Sequence, residues 1–169
     1  MVGEVVHFEI PSDDLDRAQS FYRKTFGWKM RPVPDLDYAV VRTAQSGGDG
    51  VPKLPGAING GLLRRQPDVR RPVVTIRVDD IDRVVRRIRK NGGDLLQARS
   101  PIGGGGVGFA AYFRDTEGNT VGLYEPRPLR PVLPRRRPHA DSGADSVGTG
   151  VSRSGIRSAG WFAVAKSWR

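Results

Sequence analysis

The sequence predicts an α+β fold in which two β-α-β-β-β units follow one another, with a basic tail behind them. Two observations predict it. Apolar alternation leads directly into helical spacing at residues 5–18, and the same pattern returns at residues 72–84. A shift of 66 residues, the distance from Asp14 to Asp80, also places Arg17 on Arg83. The length of 169 residues suits one domain with a tail.

The first unit is predicted to begin with a strand at residues 4–10, because its side chains alternate between two faces. Val6, Phe8 and Ile10 share one face, and Val5, His7 and Glu9 share the other. Ser12 and Asp13 are typical N-cap residues for the helix that follows. The helix itself is indicated by Leu15, Ala18 and Tyr22 at helical spacing, and Gly27 is expected to end it. Strands at 28–34, 38–43 and 57–64 complete the unit, with a Gly/Pro-rich loop at 45–56.

The second unit repeats this order. A strand is predicted at 73–78, and Ile81, Val84 and Ile88 indicate a helix that ends at Gly92 and Gly93. Further strands are predicted at 95–98, 107–114 and 120–125. They are separated by a glycine loop at 103–106 and a tight turn at 115–119.

The positive charge is concentrated in the tail. Residues 127–169 hold eight Arg and one Lys against two Asp, a balance of +7, so the rest of the chain carries only +3 of the net +10. This Arg/Pro/Ser/Gly-rich tail is expected to be disordered. The remaining arginine clusters lack the aromatic and base-reading residues of a nucleic-acid surface, so no nucleic-acid partner is expected.

Cysteine, leader and membrane signals are absent from the sequence. The chain has no Cys, which excludes disulfides and thiolate metal sites. It also lacks an apolar run long enough for a membrane span and an N-terminal pattern typical of a secretory signal. We therefore expect a cytoplasmic location and no stable membrane insertion.

Three motifs together resemble the vicinal oxygen chelate superfamily, over roughly residues 3–126. They are His7 on the first strand, Phe21-Tyr22 with Phe26-Gly27-Trp28 at the end of the first helix, and Asp115–Asn119 before the last strand. That superfamily includes glyoxalase I, extradiol dioxygenases, fosfomycin-resistance enzymes and bleomycin-resistance proteins. The resemblance implies a mixed sheet curled into a cup, with units at 3–65 and 70–126. It also implies a divalent metal held by His, Glu or Gln side chains, one from the first and one from the last strand of each unit.

The positions that the resemblance assigns to metal ligands are mostly unsuitable here. His7 matches the first ligand, but its repeat partner is Val73. The last-strand positions fall on Gly122 and on Gly61, or on Gly60 if the register slips by one residue. We therefore expect no metal cofactor. The alternative is a divalent metal that uses His7 in an irregular site with Glu9 and Asn59.

Candidate site residues are those expected to face the cup. His7 and Glu9 are either a catalytic acid/base pair, in which the carboxylate raises the imidazole pKa, or a hydrogen-bonded polar pair. Trp28 and Tyr112 line a pocket or pack in a core, and the glycines leave room for a bound molecule. The expected ligand-binding residues are Tyr38, Asn59, Gly61, Thr75, Phe109, Gly122 and Tyr124.

The function favoured by these features is binding of a small organic molecule in a metal-free cup. The bleomycin-resistance branch of the superfamily sequesters a drug or metabolite in this way. The alternatives are a metal-dependent glyoxalase- or dioxygenase-type enzyme, metal-free acid/base chemistry by His7 and Glu9, and an interaction protein that acts through its tail. A homodimer is one arrangement compatible with such a fold.

Overall fold

The computed structural model describes residues 3–34, 36–48, 50–102 and 107–127. Eight strands form one curled sheet in the order β2-β3-β4-β1-β5-β8-β7-β6. The predicted tail at 127–169, apart from residue 127, and the glycine loop at 103–106 lie outside the described residues. The elements are β1 (Val5–Ser12), α1 (Leu15–Phe26), β2 (Lys29–Pro32), β3 (Tyr38–Arg42), β4 (Gly60–Arg64), β5 (Val73–Arg77), α2 (Ile81–Lys90), β6 (Asp94–Ile102), β7 (Gly108–Arg114) and β8 (Thr120–Pro126).

The first strands of the two units pair antiparallel at the centre of the sheet. His7 lies opposite Thr75, and Glu9 lies opposite Val73. The 66-residue shift converts the first of these pairs into the second, since it places His7 on Val73 and Glu9 on Thr75. The repeat predicted from the sequence is therefore a local two-fold relation between β1 and β5.

The last strand of each unit returns to lie parallel to the first strand of the same unit. β4 pairs with β1, where Gly61 lies opposite Glu9, and β8 pairs with β5, where Gly122 lies opposite Thr75. Gly61, rather than Gly60, is therefore the counterpart of Gly122. The structure has the register that was assigned first from the sequence.

Both helices begin at an aspartate one residue before their first turn. The Asp14 side chain accepts a hydrogen bond of 2.9 Å from the Arg17 amide, and Asp80 accepts one of 2.8 Å from the Arg83 amide. The prediction of Ser12 or Asp13 as the first N-cap is wrong, because β1 continues to Ser12 and Asp14 is the residue that caps α1. α1 ends at Gly27 in the left-handed conformation with φ of 68°, as predicted.

The two faces of the sheet bury different sets of side chains. On one face, α1 packs over Ala39, Val41 and Leu62, and α2 packs over Ala111 and Leu123. Strand alternation turns the neighbouring residues to the opposite face, which we call the cup face. A buried cluster fills much of the cup face: Tyr38, Leu63, Val69, Val73, Ile102, Ala110 and Tyr112.

One strand of the second unit differs from the sequence-based prediction, and its helix agrees with it. β6 runs from Asp94 to Ile102 rather than over 95–98, and its pairing with β7 contains register shifts that obscure the alternation. In α2 the buried residues are Ile81 and Val85, whereas Val84 and Ile88 are partly buried. α1 has the same pattern, because Gln19, the counterpart of Val85, is its buried residue. The two helices therefore turn the same face to the sheet, as the shift of 66 predicts.

Candidate functional site

Two acid/base side chains and two tyrosines form a buried polar network on the cup face. β1 presents His7 and Glu9, which are 3% and 4% exposed. His7 Nε2 lies 3.0 Å from the Tyr38 hydroxyl, and the Tyr112 hydroxyl donates a 2.8 Å hydrogen bond to Glu9 Oε2. Each of the two predicted catalytic residues thus has a tyrosine partner of its own.

Burial sets the charge of both residues. It lowers the pKa of His7 from 6.5 to about 3, because a buried imidazolium loses its hydration. It raises the pKa of Glu9 from 4.5 to about 7, and the hydrogen bond from Tyr112 opposes this only in part. At neutral pH His7 is therefore uncharged. The expectation that the carboxylate would raise the pKa of the imidazole is wrong, since desolvation dominates.

Side chains of the same chain fill the space beside the two glycines at the ligand positions. A Cβ atom at Gly61 would overlap the hydroxyl and ring of Tyr38. A Cβ atom at Gly122 would lie 2.5 Å from Thr75 Oγ1. The glycines therefore do not leave room for a bound molecule. They allow Tyr38 and Thr75 to pack against the backbone of β4 and β8.

The residues at these positions do not fit the superfamily's metal. Of the four ligand positions only His7 carries a donor, and its Nε2 is engaged with Tyr38. Within the described ranges, no three His, Asp or Glu side chains are grouped closely enough to hold an ion. A divalent metal needs several such donors, so the set present does not supply the expected centre.

Asn59, a candidate for an irregular metal site, holds the preceding loop in place. Its Oδ1 accepts a 3.0 Å hydrogen bond from the Thr43 amide. Its Nδ2 donates to Ser46 Oγ at 2.7 Å and to the Gly50 carbonyl at 2.9 Å. The side chain therefore fixes the loop that borders the cup.

A cavity of about 590 Å³ opens at the end of the sheet where β1 begins and β5 and β8 end. Of the predicted site residues, His7, Asn59 and Tyr124 line it. Tyr124 is anchored by a 3.0 Å hydrogen bond from its hydroxyl to the Val107 carbonyl. The volume is in the usual range for small-molecule sites.

The other predicted site residues lie elsewhere. Glu9, Tyr38, Gly61, Thr75 and Gly122 are buried deeper on the cup face and are not part of the cavity lining.

Phe109 is on the helix side of the sheet and does not face the cup. It packs with the α2 cluster, and the Arg99 guanidinium lies 3.3 Å from its ring centroid. The aromatic side chain indicated correctly that Phe109 is partly buried. The face of the sheet on which it lies could not be predicted, because it depends on the register of β7. Trp28 is likewise on the helix side, where it stacks with Tyr22 and contacts Phe8.

Arg77 is a charged cavity residue that was not predicted from the sequence. It lines the cavity and follows Thr75 by two positions on β5. Strand alternation therefore places both on the cup face, a signal available from the sequence once Thr75 was assigned there.

Similarity to known proteins agrees with the fold and extends over its whole length. Residues 4–44 match a family model described as bleomycin resistance protein-like N-terminal. A glyoxylase-like domain-containing protein of Didymella fabae is 30% identical over 122 residues, which are 70% of this chain and 90% of that relative. The chain belongs to the vicinal oxygen chelate superfamily.

Other members of the vicinal oxygen chelate superfamily are more distant. The lactoylglutathione lyase of Haemophilus influenzae is 22% identical over 125 residues, covering 72% of this chain and 92% of that enzyme. A methylmalonyl-CoA epimerase variant of Streptomyces coelicolor, solved with 2-nitronate-propionyl-CoA, superposes with a TM-score of 0.52 at 20% identity. That match covers 75% of this chain and 99% of the epimerase chain, and it shows a shared fold.

The helices of this vicinal oxygen chelate domain are short. α1 has 12 residues and α2 has 10. Across the part of the chain that the structure describes, neither is long and apolar enough to cross a membrane.

Proposed function

We propose that this protein binds a small organic molecule in the cavity at the open end of its cup, without a metal ion, and sequesters it. One observation carries the proposal. The metal-ligand positions are packed with Tyr38 and Thr75, while a cavity of about 590 Å³ remains open beside them. The site thus retains space for a ligand after losing the donors for a metal.

The chemistry of the lining favours binding over catalysis. His7 is the one predicted catalytic residue in the cavity wall, and burial lowers its pKa to about 3. An imidazole with that pKa is not in its imidazolium form at neutral pH, so it is a poor general acid, and it is also a weak base. Glu9 is outside the lining and is hydrogen-bonded to Tyr112.

A metal-dependent enzyme is the competing function, because relatives are named as lyases and epimerases. It would require donors that Val73, Gly61 and Gly122 do not provide. Native mass spectrometry of the purified full-length protein decides between the two. We expect either the bare chain or a chain with an organic adduct. One divalent ion per chain, lost in His7→Ala, would contradict the proposal.

A neutral fluorescent dye, N-phenylnaphthylamine, tests binding directly. We expect a saturable, equimolar increase in emission that EDTA does not change. Val5→Trp should abolish it, because Val5 lines the cavity. Val74→Trp is the matched control, since Val5 and Val74 are both about half exposed, at 41% and 45%, and Val74 is not in the lining. Equal loss in both variants would show that the dye binds elsewhere.

A further inference from the structure

We propose that the ligand of this cavity is an amphipathic organic anion whose negative group is bound by Arg77 at the mouth. The inference rests on the proposed function and adds the chemical class of the molecule. It assigns a role in ligand specificity to Arg77, which is not at any of the positions that the resemblance assigns to metal ligands.

The strand register places Arg77 at the rim of the cup. Thr75 is buried on the cup face, and Arg77 lies two residues further along β5, where the strand ends. Arg77 pairs across the parallel strands with Tyr124, which also lines the cavity. The pKa of Tyr124 is raised by burial, and the positive charge of Arg77 opposes this rise. The guanidinium charge therefore acts on the interior of the cavity.

The guanidinium of Arg77 is available to a ligand. Five other arginines of the domain have carboxylate partners: Arg17 with Asp14, Arg64 with Asp37, Arg65 with Asp13, Arg99 with Glu125 and Arg114 with Asp68. Among the described residues, no side-chain hydrogen bond or ion pair engages Arg77, which is exposed. A guanidinium binds a carboxylate or phosphate group through two parallel hydrogen bonds, which suits recognition of an anion.

The rest of the lining is suited to the apolar part of such a ligand. The wall includes the apolar residues Val5, Val51, Pro52, Ile58, Val107 and Pro126. His7 is uncharged at neutral pH, so Arg77 is the positive group and Glu4 the negative group of the described lining. An anion at Arg77 would be repelled by Glu4, and this repulsion offers a second, opposite test.

The experiment compares two dyes of nearly the same shape, neutral N-phenylnaphthylamine and its anionic relative anilinonaphthalene sulfonate. In Arg77→Gln we expect the dissociation constant of the anionic dye to rise about tenfold, the scale of one charge-assisted contact. The neutral dye should bind as in the wild type. Arg77→Lys should retain part of the anion affinity, because the charge remains. Arg86→Gln, on the exposed side of α2, is the matched control and should change neither dye.

Glu4→Gln should have the opposite effect and tighten binding of the anionic dye only. Equal weakening of both dyes by Arg77→Gln would overturn the inference, because it would mean that Arg77 only shapes the wall. Unchanged binding of the anionic dye in that variant would also overturn it. In both cases the proposed function stands. If neither dye binds the wild type, the proposed function fails and the inference fails with it.

Discussion

The contact between Tyr38 and Gly61 explains why the cup has no room at a position that the superfamily resemblance assigns to a metal ligand. Tyr38 is 2% exposed, and its hydroxyl and ring occupy the space that a side chain at position 61 would need. The hydroxyl also lies 3.0 Å from His7 Nε2. The same tyrosine thus fills a gap and satisfies a buried imidazole nitrogen.

Gly61→Ala is predicted to lower the free energy of unfolding by about 1–3 kcal/mol, the usual cost of overpacking. Gly48→Ala is the control, because a Cβ atom there meets nothing within 4 Å and should change stability by less than about 0.5 kcal/mol. Urea unfolding at neutral pH measures both. Equal stability of the two variants would contradict the packing argument.

The opposite pKa shifts of His7 and Glu9 predict opposite pH dependences. Glu9 has a raised pKa, so its contribution to stability is full below pH 4.5 and is lost as the pH rises through about 7. His7 has a lowered pKa, so its contribution is full above pH 6.5 and is lost as the pH falls towards about 3. Between pH 4.5 and 6.5 the two slopes cancel.

Substitution of one of the two residues should reveal the pH dependence of stability that the other one contributes. Relative to the wild type, Glu9→Gln should gain stability as the pH rises from 4.5 to 6.5, by about 1.4 kcal/mol per pH unit. His7→Gln should lose stability over the same range. Urea unfolding at several pH values measures both. Wild-type slopes in both variants would mean that neither residue titrates with a shifted pKa.

Single residues were only partly predictable from the sequence. His7 and Glu9 were assigned to the cup face correctly, because β1 has a regular alternation. Their contacts with tyrosines were not predicted. Tyr112 lies 103 residues from Glu9 in the sequence, and the contact depends on the order of strands in the sheet. Local pattern carries no information on such a contact.

Glu125 joins three elements and illustrates how the last strand holds α2 in place. Its carboxylate accepts a 2.9 Å hydrogen bond from the Ile81 amide at the start of α2. It also forms a 2.7 Å ion pair with Arg99 on β6, which helps to hold the pKa of Glu125 below its ordinary value.

Glu125→Ala is predicted to destabilise the fold by about 1–3 kcal/mol, because it removes a charged acceptor and leaves Arg99 unpaired. Glu125→Gln should lose less, since an amide oxygen can still accept from Ile81. Thermal unfolding compares them with Glu117→Ala, an exposed carboxylate in the turn before β8. A cost in Glu117→Ala as large as that in Glu125→Ala would argue against a specific capping role.

The end of α1 was predictable because a glycine marks it, whereas its N-cap was misplaced by one or two residues. Gly27 ended α1 as expected, because its φ of 68° suits glycine. β6 was underestimated, because its register shifts relative to β7 interrupt the period-two pattern on which strand prediction depends.

The central antiparallel pair makes the two units one sheet, so neither half of the cup is complete alone. β1 and β5 contact each other as well as the last strand of their own unit. The order of elements was predictable because the 66-residue repeat is strong. The cavity was not, because it depends on how the loop at 50–59 lies against β1 and β8.

Removal of residues 128–169 is predicted to leave dye binding unchanged. Every lining residue that the structure describes falls between Glu4 and Pro126. Titration of the full-length and shortened proteins with the neutral dye, together with circular dichroism, tests this. A large loss of affinity in a shortened protein that still folds would favour the alternative in which the tail carries the function.

The overlap between Tyr38 and position 61 also restricts which mutational routes are open to this protein. A carboxylate at position 61 must be preceded by loss of Tyr38, which would strip a buried partner from His7 and open a void. Substitution of Gly61 alone and substitution of Tyr38 alone are each destabilising. Only the two substitutions together avoid both the overlap and the void. The order of substitutions therefore matters, because a carboxylate at position 61 fits this packing only after Tyr38 has been replaced by a smaller side chain.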